Sequence, residues 1–251
     1  MASVARSRSL MCGRIRAKPE SLRGIVFDKD GTLFDFQATW ARWCAGIIAE
    51  LAQGDPGVAA ALAEALGFDL RALRFRPSSP VIAETMEVVV AAILHVLPGL
   101  DEARLRRRIL VTSAAAPQVE AAPLRPLLDR LRVAGLTLGL ATNDAEAPAR
   151  AHLVRAGVLD RFAFIAGYDS GHGAKPGAGM LDAFCRETGL QPQACAMIGD
   201  STHDLASGRA AGMTTVAVLT GPASADELAP FADVVLPCVA ALPDWLGLPL
   251  A

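Results

Sequence analysis

The chain has 251 residues, of which 52% are hydrophobic and 20% are charged, a composition typical of one or two globular domains and not of a disordered chain. The 24 basic and 26 acidic side chains give a formal net charge of −2, which excludes the strongly basic surface of most nucleic-acid-binding proteins. The longest apolar stretch, residues 88–97, is about half of the roughly twenty residues that a membrane span needs, so neither a nucleic acid nor a membrane is a predicted partner.

The first 21 residues differ from the rest of the chain. Basic and serine residues dominate there, the first acidic residue is Glu20, and no apolar run is long enough for a secretory signal. We expect a disordered leader before a folded body that starts near Leu22; an organelle transit peptide and a true start at Met11 are the alternatives. The five cysteines form no CxxC pair, which predicts reduced thiols in a cytoplasmic protein.

The folded body begins with a short apolar run, Gly24–Phe27, that reads as a buried strand and ends in the polar loop 28–32. The pattern between residues 37 and 117 is helical and is punctuated by prolines. The predicted helices are Thr39–Ala52, Val58–Leu66, Val81–Leu97 and Asp101–Ala115. No strand is predicted in this stretch, so we expect residues 37–117 to form an all-helical insert between core segments 22–36 and 118–251.

Strands and helices alternate after Pro123. The predicted helices are Leu124–Ala134, Ala145–Ala156, Gly177–Thr188 and Leu205–Ala211. The predicted strands are Leu136–Ala141, Phe162–Ala166, Ala194–Ile198, Thr214–Leu219 and Asp233–Leu236. Strands that are apolar throughout and separated by helices predict an α/β fold with a parallel sheet covered on both faces.

Polar residues follow several of these strands at the point where each ends. Asp28, Thr142, Asn143 and Asp200 occupy such positions. Ligands of open α/β sheets bind outside the carboxyl ends of the strands. We therefore expect these side chains to lie at one site.

The loop after the first strand carries two carboxylates, Asp28 and Asp30, in the pattern DxDGT. Residues i and i+2 of an extended backbone point to the same side, so both can address one site while Lys29 points away. One carboxylate can attack phosphorus, and the other can protonate the leaving alkoxide and later deprotonate water. Taken alone, the loop could also be a turn or a calcium site.

With this loop the sequence resembles the haloacid dehalogenase-like superfamily, whose first motif is DxDGT. Thr142 matches the second motif, a Ser or Thr at a strand end, and Lys175-Pro176 matches the third. The fourth motif, GDSxxD, matches residues 199–204. The resemblance covers Gly24 to about Asp204 and implies a Rossmann-like core with a helical cap inserted after the first strand.

A phosphate monoester carries nearly two negative charges and needs a cation before a carboxylate can attack it. Mg²⁺ bound by Asp28 and Asp200 is the predicted cofactor. The resemblance implies that the backbone carbonyl of Asp30 is a further ligand, and that Asp204 orients metal-bound water or Lys175 without binding the metal itself.

Three further residues are predicted to meet the phosphoryl group. Lys175 would supply a point charge, while Thr142 and Asn143 would donate hydrogen bonds to its equatorial oxygens. Each residue also has an ordinary structural alternative. Residues 142–144 could cap the following helix, Lys175 could be a solvated surface lysine, and Asp204 could simply favour a helix N-terminus.

The resemblance is greatest to phosphoglycolate phosphatase-type members, although Gly177 and Gly179 depart from what usually follows the Lys-Pro pair. The predicted activity is Mg²⁺-dependent hydrolysis of a small phosphorylated metabolite, such as 2-phosphoglycolate, through an aspartyl-phosphate. A phosphomutase on the same scaffold is the alternative, and a dehalogenase is disfavoured because that branch lacks the residue equivalent to Asp30. Arg76, in a predicted loop between cap helices, is a candidate partner for a substrate carboxylate or else a solvated arginine. We expect a monomer or a homodimer.

Overall fold

A sheet of six strands forms the centre of the computed structural model, which describes residues 22–249; the predicted leader, residues 1–21, lies outside the described residues. The strands are β1 (Gly24–Phe27), β4 (Thr137–Ala141), β5 (Phe164–Ala166), β6 (Cys195–Gly199), β7 (Thr214–Val218) and β8 (Val234–Leu236), with β2 and β3 in the insert. Their spatial order is β5-β4-β1-β6-β7-β8, and every neighbouring pair is parallel. The predicted α/β class is confirmed.

Helices cover both faces of the sheet because the strands are apolar on both sides. In β1, Ile25 and Phe27 belong to one apolar layer and Val26 to the other, as the two-residue period of a strand requires. The helices of the core are α6 (Leu124–Val133), α7 (Glu146–Arg155), α8 (Gly179–Thr188), α9 (Thr202–Ala210), α10 (Ala225–Leu228) and α11 (Leu242–Trp245). Helices α6 and α7 pack on the face of Ile25, and α8 packs on the face of Val26.

The position of β1 determines where a ligand can bind. β1 lies between β4 and β6: from β1 the chain adds β4 and β5 on one side, and it then returns to add β6, β7 and β8 on the other side. A crevice forms at such a reversal outside the carboxyl ends of the strands. The DxDGT loop follows β1 directly, at this crevice.

The insert has an apolar core of its own, in which Trp40, Leu62 and Ile93 are buried. Its helices are α1 (Phe36–Ala52), α2 (Pro56–Ala65), α3 (Pro80–Ala83), α4 (Met86–Val96) and α5 (Glu102–Ala115). Acidic N-caps start three of them: Asp35 for α1, Asp55 for α2 and Asp101 for α5 each accept a backbone N–H of the first turn.

Two expectations about the insert are corrected by the structure. First, residues 37–117 are not purely helical, because β2 (Phe68–Asp69) and β3 (Arg74–Phe75) form a two-stranded antiparallel hairpin. Second, the helix predicted over Val81–Leu97 is two helices, α3 and α4. The chain is extended at Glu84 and Thr85 between them, which an apolar pattern cannot reveal.

The insert is joined to the core at a paired crossing. The N–H of Asp35 donates to the carbonyl of Val119 at 2.8 Å, and the N–H of Ala121 donates to the carbonyl of Leu33 at 2.9 Å. The outgoing and returning segments therefore run side by side. Arg155 of α7 adds hydrogen bonds to carbonyl oxygens at the end of α5.

Two predictions from composition can be compared with the described residues. Over residues 22–249, no helix combines the length and the apolar character that crossing a bilayer requires. The cysteines within this range are free thiols: Cys44, Cys185 and Cys195 are buried and Cys238 is partly exposed. Burial raises the pKa of Cys44 and of Cys195 to about 12, so these two thiols are protonated and unreactive near neutral pH.

Candidate active site

Three strand ends and one loop bring polar side chains to the carboxyl edge of the sheet. Asp28 follows β1, Thr142 follows β4, Asp200 follows β6, and Lys175 lies between β5 and α8. All four side chains are buried, and all four line one cleft between the sheet edge and the insert. The structure thus brings together the residues of the four sequence motifs.

Lys175 is held by three acceptors. Its Nζ lies 2.6 Å from Oδ1 of Asp28, 2.6 Å from Oδ1 of Asp204 and 2.9 Å from the carbonyl oxygen of Ala141. Burial opposes its charge, but the carboxylates of Asp204 and Asp28 outweigh burial and raise the pKa of Lys175. Lys175 is therefore a fixed positive charge beside Asp28, not a solvated surface lysine.

An excess of buried negative charge surrounds this lysine. Asp28, Asp200 and Asp204 can each place an oxygen within 4.8 Å of the others, so three carboxylates face one ammonium group. Burial, opposed by Lys175, raises the pKa of Asp28 to about 7. Burial together with repulsion from Asp28 and Asp204 raises the pKa of Asp200 well above its ordinary value. Crowded, desolvated oxygen donors of this kind fit a hard divalent cation such as Mg²⁺.

Backbone from two loops fixes the orientation of Asp200. Gly31 has a positive φ of 85°, and a Cβ placed there or at Gly221 would collide with the Asp200 carboxylate. The hydroxyl of Thr32 donates to Oδ1 of Asp200 at 3.1 Å. Only glycine permits the approach at Gly31 and Gly221, so the two loops hold Asp200 toward the cleft.

Asp204 is fully engaged within the protein. Its Oδ1 accepts from Lys175, and its Oδ2 accepts from the backbone N–H of Ser201 at 2.9 Å and from the Ser201 hydroxyl at 2.6 Å. Ser201 also caps α9 by accepting the N–H of Asp204. The arrangement agrees with a residue that positions Lys175, a role that stays a prediction.

Thr142 and Asn143 differ in what they can offer a ligand. Thr142 accepts the N–H of Asp144 at 3.1 Å, which leaves its hydroxyl hydrogen available to a phosphoryl oxygen. The amide of Asn143 is already used: Nδ2 donates to the carbonyls of Ala83 (2.8 Å) and Lys175 (3.0 Å), and Oδ1 accepts from the N–H of Lys175. The expectation that Asn143 donates to the phosphoryl group is corrected, because both of its amide hydrogens bind protein carbonyls. The N-cap of α7 is Ala145, so residues 142–144 do not cap that helix.

The second carboxylate of the DxDGT loop has one free oxygen. Asp30 lines the cleft. Its Oδ2 lies 2.6 Å from Nζ of Lys29, whereas its Oδ1 is buried and has no hydrogen-bond partner among residues 22–249. Lys29 therefore holds one oxygen of Asp30 and leaves the other for a ligand.

Lys29 is the unexpected residue of the site. Its side chain is completely buried and lies 3.1 Å from Oδ2 of Asp144, 3.1 Å from Nδ1 of His152 and 5.2 Å from the centre of the Trp40 ring. Burial opposes its charge, but Asp30 and Asp144 outweigh burial and raise the pKa of Lys29. The expectation that Lys29 merely points away from the site is incomplete, because its ammonium group contacts Asp30 directly.

His152 extends this network to the insert. Burial, with repulsion from Lys29, lowers the pKa of His152 to about 4, so its ring is neutral at pH 7. Nδ1 can then accept from Lys29 while Nε2–H donates to the carbonyl of Ser113 at 2.9 Å. The core loop and the end of α5 are thereby connected through one buried ring.

The insert supplies the wall opposite the carboxylates. Apolar and aromatic side chains dominate this wall, which is formed by Phe36, Trp40, Trp43, Val81, Ile82, Ala83, Met86, Val89 and Ile109, with Glu84 and Ser113 as its polar members. The cavity between this wall and the carboxylates has a volume of about 90 Å³.

Arg76 is placed away from this wall. Its guanidinium lies 2.7 Å from Oε2 of Glu64, its side chain is 47% exposed, and it is not one of the described residues that line the cleft. The expectation that Arg76 binds a substrate carboxylate is therefore corrected. The β2–β3 hairpin turns Arg76 toward α2 and the surface, which a loop interpretation of residues 73–77 could not foresee.

Some residues in or beside the cleft carry weak sequence signals. Lys29 could have been found, because a lysine two residues after a fully buried strand needs counter-charges such as Asp144. His203, inside the fourth motif, lines the cleft and its Nδ1 lies 3.3 Å from the carbonyl oxygen of Ala83. Trp40, Trp43 and the other residues of the insert wall belong to no motif, so only the fold reveals them.

Several curated proteins are similar to this chain in sequence. Among curated relatives, a phosphoglycolate phosphatase of Chromobacterium violaceum is 39% identical over 49% of this chain, and one of Rhodospirillum rubrum is 37% identical over 49%. These two matches span about half of the relatives' own lengths, 54% and 51%. A phosphoglycolate phosphatase of Yersinia pseudotuberculosis is 28% identical over 92% of this chain and 96% of its own.

Solved structures show the same fold at low identity. A predicted phosphoglycolate phosphatase from Haemophilus somnus has a TM-score of 0.69 at 17% identity, covering 89% of this chain and 97% of its own. The L-2-haloacid dehalogenase of Xanthobacter autotrophicus has a TM-score of 0.59 at 19% identity, with coverages of 90% and 98%. The family model of haloacid dehalogenase-like hydrolases matches residues 22–212. Since that match takes in β1, the insert and all four motifs, the chain belongs to the haloacid dehalogenase-like hydrolase family.

Proposed function

We propose that this protein is a phosphatase that hydrolyses a small phosphate monoester through an aspartyl-phosphate on Asp28. The observation that carries the proposal is the pair of carboxylates on one loop: Asp28 lies against Lys175, and Asp30 lines the same cleft with one buried oxygen that has no hydrogen-bond partner among residues 22–249. One carboxylate of the pair can act as the nucleophile and the other as the proton donor. Hydrolysis through a covalent intermediate requires both groups.

The proposed reaction has two displacements. A carboxylate oxygen of Asp28 forms a bond to phosphorus as the bond from phosphorus to the leaving oxygen breaks, and Asp30 gives its proton to that oxygen. Water then attacks the phosphorus, Asp30 takes the water proton, and the bond from phosphorus to Asp28 breaks to release inorganic phosphate. Lys175 and the hydroxyl of Thr142 stabilise charge on the phosphoryl oxygens.

Mg²⁺ is the cofactor that we propose for this site. Asp28, Asp200 and the backbone carbonyl of Asp30 would hold it, and the excess negative charge around Lys175 is the observation that supports it. When bound, the ion supplies electrostatic neutralisation between the phosphate and the carboxylates. Activity should be lost in EDTA and restored by Mg²⁺; full turnover in the chelator would contradict this assignment.

The names of the relatives make 2-phosphoglycolate the first substrate to test. A phosphomutase remains an alternative from sequence, and product analysis separates the two activities, because a mutase returns a sugar phosphate instead of inorganic phosphate. Asp30 argues against a dehalogenase, since expelling a halide needs no proton donor. Cytoplasmic location and a monomeric or homodimeric state stay predictions.

The test of the mechanism is the Asp28→Asn and Asp30→Asn pair. Asp28→Asn should abolish turnover and labelling of the protein by phosphate, because an amide does not attack phosphorus. Asp30→Asn should lower kcat by about 10²–10⁴-fold, with the larger loss on alkyl phosphates and the smaller on p-nitrophenyl phosphate, whose leaving group needs little protonation.

Asp226→Asn is the matched control, because Asp226 is an exposed carboxylate on α10, and it should behave as the unaltered protein. Normal activity of pure Asp28→Asn protein would refute the proposal.

A further inference from the structure

The wall that the insert turns toward the cleft is almost entirely apolar. Phe36, Trp40, Val89 and Ile109 are buried there, and Val81, Ile82 and Met86 are partly exposed in the same cleft. The carboxylates and Lys175 lie on the opposite, core side. A phosphate monoester bound with its phosphorus at Asp28 must therefore direct its leaving alcohol toward this apolar wall.

No free positive charge is available on the insert side. Among the described residues that line the cleft, the basic ones are Lys175 and His203, and both belong to the core. The ammonium hydrogens of Lys175 already bind Asp28, Asp204 and Ala141. Glu84 is the one ionisable side chain of the insert that lines the cleft, and it would repel a second anionic group of a substrate.

The polar atoms of the wall are also already used. The indole N–H of Trp43 donates to the hydroxyl of Thr112 at 3.0 Å. The hydroxyl of Ser113 donates to the carbonyl of Leu110, and the carbonyl of Ser113 accepts from His152. A carboxylate pressed against this wall would lose water and would gain neither a counter-charge nor a hydrogen-bond donor from the Trp43 and Ser113 side chains.

We infer that the preferred substrates are phosphate monoesters of uncharged, apolar or aromatic alcohols. The inference rests on the proposed phosphatase function and deepens it by naming the class of the leaving group. It opposes 2-phosphoglycolate as the best substrate, because that compound carries a carboxylate beyond its phosphate. The aromatic and branched side chains of the wall complement a ring or a short alkyl chain by shape and by burial of apolar surface.

Benzyl phosphate and 4-carboxybenzyl phosphate form a matched pair of probes, because they share the reacting bond and differ by one remote carboxylate. The unaltered protein should hydrolyse benzyl phosphate with a kcat/KM at least about tenfold higher, a difference of about 1.4 kcal/mol at 25 °C. 2-Phosphoglycolate should also be turned over more slowly than benzyl phosphate. Equal values, or a preference for either carboxylate-bearing ester, would overturn the inference.

Charge placed on the wall gives a second test. Met86 and Val88 both lie in the first turn of α4, but Met86 lines the cleft while Val88 does not and is 41% exposed. Met86→Arg should shift the ratio of the two benzyl esters toward the carboxylated one by about tenfold, since an arginine would supply the missing partner. Val88→Arg adds the same charge outside the cleft and should leave the ratio unchanged. Equal shifts in both variants would also overturn the inference.

p-Nitrophenyl phosphate separates this inference from the proposed function. If the protein with Mg²⁺ hydrolyses p-nitrophenyl phosphate but prefers the carboxylated esters, the proposed phosphatase function stands and the inference of an apolar leaving group is wrong. If none of the phosphate monoesters is hydrolysed, the proposed function fails and this inference fails with it.

Discussion

Lys29 is a cation buried beside two carboxylates, Asp30 and Asp144, and it directly follows Asp28, the proposed nucleophile. Burying an ammonium group is costly unless nearby charges compensate it, and here both carboxylates and the ring of His152 lie within 3.1 Å of its Nζ. Burial raises the pKa of Asp144 as well, while Lys29 opposes that rise. Lys29 and Asp144 therefore depend on each other for their charged states.

Lys29→Met should be strongly destabilising, because it removes a buried cation and leaves two partly buried carboxylates without it. The free energy of unfolding should fall by about 3–5 kcal/mol, the usual effect of removing one partner from a buried pair. Urea unfolding at neutral pH measures the change. Arg42→Met, which removes a cation from an exposed position of α1, is the control and should change stability by no more than about 0.5 kcal/mol. A Lys29→Met protein as stable as that control would show that the pairing is unimportant.

Residues were predictable from the sequence where a strand fixes their position. Asp28, Thr142 and Asp200 end apolar runs, and the ends of neighbouring parallel strands meet at one edge. The partners of Asn143 were not predictable, since one of them is the carbonyl of Ala83, 60 residues away in the insert. Arg76 shows the same limit, because its direction depends on a hairpin whose strands are two residues long.

The break between α3 and α4 places a backbone carbonyl of the insert, and not a side chain, against the core. The carbonyl of Ala83, at the end of α3, accepts from Nδ2 of Asn143 at 2.8 Å and lies 3.3 Å from Nδ1 of His203. A continuous helix would have used this carbonyl for its own next turn. The break therefore creates one of the contacts that join the insert to the core beside the cleft.

Asn143→Asp should weaken this contact without changing side-chain size. The aspartate keeps an acceptor for the N–H of Lys175 but places negative charge against the carbonyls of Ala83 and Lys175. We expect kcat/KM to fall by about 10–100-fold, equivalent to losing roughly 1–3 kcal/mol of hydrogen bonding, and proteolysis near residues 80–85 to become faster. Unchanged kinetics together with unchanged proteolysis would show that Asn143 does not hold the insert.

At the scale of elements, the pattern of apolar residues predicted the type of most helices and strands but not their ends. Helix α9 starts at Thr202, three residues before the predicted start, because Ser201 and Asp204 form a capping box. Helix α1 starts at Phe36 because Asp35 caps it. Such ends depend on single hydrogen bonds that periodicity does not record.

The crowded carboxylates of the candidate active site affect the stability of the whole protein. In the metal-free protein the pKa of Asp28 is about 7, against 3.8 for an exposed aspartate. The folded state therefore binds a proton that the unfolded state has already released between these values. The contribution of Asp28 to the free energy of unfolding therefore falls as the pH rises from about 4 to about 7. The raised pKa of Asp200 acts in the same direction.

In EDTA, the unaltered protein should lose more thermal stability than Asp28→Asn between about pH 5 and pH 8, because the amide does not titrate. Added Mg²⁺ should raise Tm at the higher pH, where the carboxylates are ionised, by mass action on the folded state. Asp200→Asn, lacking one proposed ligand, should show a much smaller increase with Mg²⁺. A Tm that ignores Mg²⁺ at both pH values would contradict the metal site.

The paired crossing at Asp35–Val119 and Leu33–Ala121 places the two ends of the insert side by side. Because the two crossing segments are hydrogen-bonded to each other, a linker of a few residues could close the gap that excision leaves, at a small entropic cost of loop closure. The six-stranded core would keep its motifs, and a foreign insert could be grafted between the same two points. Selectivity for the alcohol could then diverge in a lineage while the phosphoryl chemistry stayed constant.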